Sequence, residues 1–408
     1  MLDQAYSVAI CGAGIVGKTL ALALADAGVD QIAIIDPGRT SKAQTGDDGR
    51  ASAIAAAVAR MFDTLDIWPG LADVAQPITS MDITDSSVDD PIRPVFLSFD
   101  GAIETGEPFA HMVPNAQMET VLDDMVEQNA NIKRITARVL DLTVHDEFAE
   151  LTLQSGSPIH ARLVVGADGI RSSVRQKANI RTVGWPYDQY GLVATISHEN
   201  PHDGRAEEHF LPSGPFAILP LTGNRSSLVW TEKKPAAEHL LALSDEDLHA
   251  ELKQRVPPHY GEVEITTPVQ AYPLSLQLAR SYIAPRIALV GDAAHSIHPL
   301  AGQGLNLGLR DVAALSEVIV ENTRIGIDPG SLIALEKYQQ WRRFDVIQFA
   351  AVTDILHRIF AVDNAPFRMV RDFGLGLTDR LPGLKRMMIS EAAGTSGDAP
   401  RLLRGEFL

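Results

Sequence analysis

The chain is short of cysteine, with Cys11 alone among 408 residues. One thiol excludes an internal disulfide and fits a reducing compartment. Positive charge is also scarce: 35 Lys and Arg stand against 52 Asp and Glu, for a net charge of -17. A nucleic-acid surface, which needs a local excess of Lys and Arg, is not expected. Long apolar runs are absent too. The longest uncharged stretch of small apolar residues, "ASAIAAAVA" at 51–59, falls far short of a membrane span. The opening "MLDQAYSVAI" has neither a basic start nor a long apolar core, so no signal peptide is read there. No internal repeat, low-complexity segment or metal-ligand cluster is evident. What remains is a cytoplasmic globular protein, long enough for two packed regions.

The informative residues begin at once. An apolar strand, Val8 to Cys11, leads into Gly12-x-Gly14-x-x-Gly17. A helical pattern follows to about Gly28, and a second strand, "QIAIID", ends on Asp36. Each piece has a mechanical role. Gly12 permits a tight turn, Gly14 lets backbone approach a pyrophosphate, and Gly17 allows close contact of helix and strand. The helix start offers free N–H groups and a positive dipole end to phosphates. Asp36 stands where a carboxylate accepts ribose hydroxyl hydrogens. A lone glycine signature also serves ordinary turns, but here all four pieces keep the expected spacing. Cys11 reads as a packing residue beneath the loop. The signature alone suits FAD and NAD(P) equally.

Further along, residues 50–68 read as an alanine-rich helix, 78–86 and 93–99 as strands, and 115–130 as a helix. "ARLVVGADG" is a buried strand closing on Asp168 and Gly169. Residues 182–275 alternate as an antiparallel sheet would, with a helix at 243–255. The stretch 286–320 returns to strand, loop and helix, and the remainder is largely helical. A nucleotide domain is thus interrupted by a β-rich domain and then resumed. Two more motifs stand out. "GADGIRSSVR" (166–175) joins an acid, a glycine and two basic residues; alone it would equally be a capped turn. "GDAAHSIHPLAGQGLNLGLRD" (291–311) follows another apolar run and is rich in glycine.

With the three motifs in this order, the sequence resembles the flavoprotein aromatic hydroxylases of the p-hydroxybenzoate hydroxylase type. "DGRASAIA", "LDIWPGL", "EEHFLPSGPFAILPL", the 291–311 motif and the tail "DNAPFRMVRDFGLGLTDRLPGLKRMMISEAAG" are similar to its ubiquinone-biosynthesis branch. The likeness covers nearly the whole chain.

The resemblance implies a set of FAD-binding positions: Gly12, Gly14, Gly17 and Asp36 for the ADP part, Arg50 for the diphosphate, and Asp168 and Gly169 for FAD and the reduced nicotinamide. Gly291 and Asp292 would hold the ribityl chain. Pro299 would shape the loop beside the ring, and Gly302, Gly304, Leu305 and Asn306 would present backbone to the flavin. One loop reaches only the diphosphate of so long a cofactor; the second fixes its other end.

The implied fold is α/β: a Rossmann-like FAD-binding domain (1–75, 100–181 and 277–330), interrupted by a mainly antiparallel β substrate domain (76–99 and 182–276), with a helical C-terminal region (331–408). The implied reaction is monooxygenation. NAD(P)H reduces FAD, O2 is trapped as a flavin hydroperoxide, and a phenolic ring, expected to be prenylated, is hydroxylated. No metal is called for, and no catalytic base is named. His209 and Phe210 are pocket candidates, His298 a packed or substrate-touching residue. The branch commonly has an arginine after the asparagine of "MVPNAQ"; this chain has Ala116, so either Gln117 supplies a hydrogen bond instead or that contact is absent, and no site is assigned there.

Residues 358–408 hold eight Lys and Arg against six Asp and Glu, which raises contact with a biosynthetic complex or with the inner membrane face. A helix packed on the flavin domain is the plainer reading. Hydroxylation of a soluble aromatic compound, and a non-catalytic flavin-bearing subunit, stay open as alternatives. A flavin halogenase is disfavoured because no W-x-W-x-I-P segment is present.

Overall fold

In the computed structural model of the chain, described residues are 5–38, 49–85, 95–103, 106–298, 302–360, 389–390, 392–395 and 397–408. Val8 to Cys11 and Ile32 to Ile35 are each four consecutive residues no more than 2% exposed. A strand buried on both faces belongs at the centre of a parallel sheet. Tyr6–Cys11 accordingly pairs in parallel with Ile32–Asp36 on one side and Pro158–Gly166 on the other. Ile132–Thr136 extends the sheet beyond Ile32–Asp36. The far edge of Pro158–Gly166 is shared: Ala149–Leu153 runs antiparallel along its first half, and Ile287–Leu289 runs parallel along its second. Helices Ile15–Asp26 and Gly304–Arg324 pack together with this sheet in the largest apolar cluster.

The second sheet is mainly antiparallel. Its order runs from His295–Ser296 through Gln270–Ala279, Thr182–His198, Arg225–Lys233, Gly214–Leu221, Arg205–Leu211 and Ser80–Asp85 to Val95–Asp100. Only the pairing of Arg205–Leu211 with Ser80–Asp85 is parallel among the described strands of this sheet. One face is sealed by helices Lys234–Ala242 and Asp245–Arg255, whose Ala237, Leu240 and Leu252 join the apolar cluster of Leu192, Phe216, Ile218, Leu228 and Trp230. The expected helix at 243–255 is therefore shorter, starting after the Ser244 cap, which accepts from the Asp247 N–H. A separate helix precedes it, with Pro235 in its first turn.

A third, small sheet corrects the reading of 50–68 as helix. Ala51–Ala55 is a strand antiparallel to Ala110–Pro114, and the helix begins only at Ala56. Alanine favours helix, but here the backbone of 51–55 has a strand to pair with, and tertiary pairing overrides a weak propensity.

The last long helix is Leu332–Phe360. No helix among the described residues is long and apolar enough to cross a membrane. Most of the basic tail, 361–388, lies outside the described residues, as does Pro299.

Candidate active site

The glycine loop is shaped by collisions that a side chain would cause. Gly12 sits at φ 115°, and a Cβ there would lie 2.2 Å from the Ala167 carbonyl oxygen. A Cβ on Gly17 would lie 2.1 Å from the Gly12 carbonyl oxygen. Gly14 and Gly304 differ: a Cβ on either meets nothing within 4 Å, because both face open space.

That space is a cleft of about 490 Å³, walled by Gly14, Ile15, Arg50, Gly169, Gly291, Asp292, Gly302, Gly304 and Leu305 among others. All three motifs thus reach one cavity, although 290 residues separate Gly14 from Gly304. Two helices start on it, Ile15–Asp26 and Gly304–Arg324, and neither has a side-chain cap. Their first N–H groups, unpaired within the helix, are left for a ligand. Arg50 adds a formal positive charge, with its guanidinium 5.8 Å from the Tyr272 ring centre. Asp292 opens onto the cleft but is crowded by protein elsewhere. Burial raises its carboxyl above the ordinary range, while His295 pulls the other way.

These donors suit an extended, anion-bearing group with hydroxyls. FAD fits that description at both ends: diphosphate to the first helix start and Arg50, hydroxylated chain to Asp292.

Several expected residues hold the site rather than line it. The Asp36 carboxylate accepts from the Ala13 N–H at 3.0 Å and the Gly38 N–H at 2.9 Å, which pins the glycine loop to the second strand. Asp168 accepts from the Ser172 hydroxyl, the Ser173 N–H at 2.6 Å and hydroxyl at 2.9 Å, and the Val174 N–H at 3.2 Å. It caps the short helix Ser173–Lys177. Arg175, 5% exposed, donates to the carbonyls of Ala293 and Ile170 at 2.8 and 2.7 Å, tying the second motif to the third. The Asn306 side chain accepts from the Ala55 N–H at 2.9 Å and donates to the Ala53 carbonyl at 2.7 Å, so it bridges to the small sheet.

Cys11 is buried beneath the loop, where burial and Asp168 push its thiol upward, away from the reactive thiolate.

Other positions needed the fold to be seen. Asp311, fully buried, accepts from the Gly291 N–H at 2.9 Å, lies 2.6 Å from His295 Nε2, and accepts from Arg342 Nε at 2.8 Å. Burial works to raise its carboxyl, but His295 and Arg342 outweigh that and hold it below the ordinary range. His295 is thus a partner of a carboxylate. His298 is buried edge-on to Tyr187, with ring centres 4.9 Å apart. Gln117 is exposed and does not line the cleft; Asn115, Ser52 and Glu119 do. Glu119 pairs with Lys18, which is only 2% exposed and also reaches Asp123 at 2.8 Å.

In the second sheet, His209 bonds the Thr84 hydroxyl at 2.7 Å on the helix-covered side, so it points away from the face that packs on Ala110–Pro114. Phe210, next in the strand, has the opposite orientation.

The FAD-binding-domain family model matches residues 5–343. The chain is 44% identical to the ubiquinone hydroxylase UbiL of Rhodospirillum rubrum, covering 99% of this chain and 94% of that one. It is 34% identical to the 3-demethoxyubiquinol 3-hydroxylase of Escherichia coli, over 97% of this chain and 100% of that one. Among solved structures, p-nitrophenol 4-monooxygenase PnpA of Pseudomonas putida superposes with a TM-score of 0.77 at 18% identity, covering 97% and 99% of the two chains. HpxO of Klebsiella pneumoniae, solved with FAD and uric acid, gives 0.75 at 19% identity over 96% and 97%. The chain belongs to the FAD-binding-domain family, and within it to the flavoprotein monooxygenases of the ubiquinone-biosynthesis hydroxylase branch.

Proposed function

We propose that this monooxygenase hydroxylates the aromatic ring of a polyprenylated phenol in ubiquinone biosynthesis, using FAD, NAD(P)H and O2. The observation that carries the reading is the convergence of two uncapped helix starts and Arg50 on one cleft that adjoins the open face of the antiparallel sheet. Bound FAD supplies the redox chemistry, passing electrons from the nicotinamide to O2.

The chain's own residues bind, orient and exclude. The first N–H groups of Ile15–Asp26 and the Arg50 guanidinium take the diphosphate. Asp36 retains lone pairs for ribose hydroxyls beside the amides it already serves. Asp292 accepts from the ribityl chain. The N–H groups at Gly304, Leu305 and Asn306 stand at a positive helix end, suited to negative charge on the reduced ring. Glycines at 14, 169, 291, 302 and 304 keep backbone close to the ligand, those at 12 and 17 let the loop close on its own strand and helix, and the division of the chain into a discontinuous flavin domain and a β-rich substrate domain belongs to the same reading.

Contact with a membrane face or a biosynthetic complex is a further part of the proposal, supported by the basic balance of 358–408. Co-sedimentation with anionic vesicles, compared between the full chain and one with Lys385 and Arg386 neutralised, tests it: equal sedimentation rejects the tail as the contact.

The central experiment is an absorbance spectrum of the purified protein followed by oxygen-dependent NAD(P)H oxidation with and without a prenylated phenol. Flavin bands, substrate-stimulated oxidation and an oxygenated product are expected. Flavin with no stimulation by any phenol rejects the substrate assignment.

A further inference from the structure

The two faces of the antiparallel sheet are finished differently. On the helix-covered face Leu192, Phe216, Ile218, Leu228 and Trp230 are at most 2% exposed. Alternation along each strand puts the intervening residues on the other face. Register lines up one row there: Ile83 beside Glu208, Glu208 beside Ala217, Ala217 beside Val229, and Val229 beside Val193. In the same strand and on the same face as Glu208, Ala206 packs with Ala56 and Met112 of the flavin half, which fixes where this face looks. Tyr272, opposite Gly191, continues the face to Arg50 at the cleft.

The row is apolar but not sealed. Ile83, Ala217, Val229 and Val193 all remain partly exposed, as the wall of a cavity would. Glu208 is the exception in chemistry: an ionisable group, 6% exposed, with no hydrogen-bond or ion-pair partner among the described residues. An unpaired buried carboxyl costs stability, and a fold keeps one where function supplies the partner. Burial raises this carboxyl to about 7, so near neutrality it both donates and accepts.

We propose that Glu208 anchors the substrate by hydrogen-bonding its phenolic hydroxyl, holding the ring against the inner face while the apolar row takes the hydrocarbon tail. The inference rests on the phenol-hydroxylase reading above.

The test is a cycle of protein and ligand. Kd is measured on the holoenzyme, from the perturbation of flavin absorbance, for 2-prenylphenol and for prenylbenzene, which lacks the hydroxyl. Wild type is expected to favour the phenol by about 10-fold or more, the range of a buried hydrogen bond. Glu208→Leu is expected to cut that preference below about threefold while binding prenylbenzene at least as well. Glu208→Gln, which keeps hydrogen-bonding atoms, is expected to retain most of the preference. A Glu208→Leu enzyme that keeps both its flavin and the full preference overturns the proposal. Should that variant lose flavin, Glu208→Met decides by the same ratio. A wild-type holoenzyme that binds neither compound overturns the functional reading and this inference together, whereas phenol-stimulated turnover with an unchanged ratio in the variants overturns the inference alone.

Discussion

Replacing Asp311 by asparagine changes one atom in the most buried charged cluster of the flavin half. The carboxylate serves three groups: the Gly291 N–H, His295 and Arg342 Nε. Asparagine has one acceptor oxygen, so its NH2 must face a donor. Arg342, 2% exposed, is left with Asp345, a half-exposed partner at 3.0 Å that cannot neutralise it from solvent. Removing one member of a buried ion pair costs about 3–5 kcal/mol. We expect a loss in that range by urea denaturation followed through tryptophan fluorescence. Because Gly291 lines the cleft, FAD affinity should fall in parallel, by about 10-fold for each 1.4 kcal/mol that reaches the loop. The pH dependence has a definite sign. Asp311 is depressed in the folded state, so its contribution is present above the ordinary carboxyl value of 3.8 and is lost as pH falls through the lower folded value. The part of the gap that comes from the Asp311 carboxyl itself should therefore be fully present at neutral pH and close only in acid. A combined Asp311→Leu/Arg342→Leu replacement, which removes both charges, should cost less than the sum of the single losses. A single-variant loss below about 1 kcal/mol, or strict additivity, refutes the reasoning.

Three further outcomes follow from close contacts. Gly17→Ala places a Cβ 2.1 Å from a backbone oxygen, and should lower FAD affinity by about 100-fold or abolish it, read as lost flavin absorbance on purification. Asn306→Leu leaves the Ala55 N–H and Ala53 carbonyl without their partner; a stability loss of about 2–4 kcal/mol is expected in the same denaturation assay. The buried, weakly acidic Cys11 thiol should resist a thiol-reactive chromophore in the native holoenzyme and react fully in urea; rapid native labelling would contradict its placement.

The parts of the site that were legible in the sequence are those where one short segment carries the whole constraint. Gly12 and Gly17 follow from local spacing, since the strand, turn and helix that demand them are contiguous. The alternating runs of 182–275 likewise declare a half-buried sheet. What escaped depended on partners far away in the chain. Ala51–Ala55 looks helical by composition, and only the distant Ala110–Pro114 and Asn306 make it a strand. Asp168 is a nearer case: it caps the helix at Ser173, one of the readings its motif allows, through contacts with Ser172, Ser173 and Val174. Asp311 sits inside a helix with nothing local to mark it, because its partners come from residues 291, 295 and 342. His209 and Glu208 are neighbours in sequence on opposite faces, and no periodicity tells which face meets the flavin half until the cross-strand register is known.

The shared edge of Pro158–Gly166 has a consequence for how the molecule comes into being. Its partner Tyr6–Cys11 precedes it in the chain, but the parallel partner Ile287–Leu289 arrives more than a hundred residues after it, followed by the helix that begins at Gly304. During elongation a nascent chain that ends before Ile287 therefore carries an incomplete sheet edge and only one side of the cleft. The cofactor can be fully gripped only once the helix from Gly304 has emerged, so its binding free energy falls to chains that have passed that point.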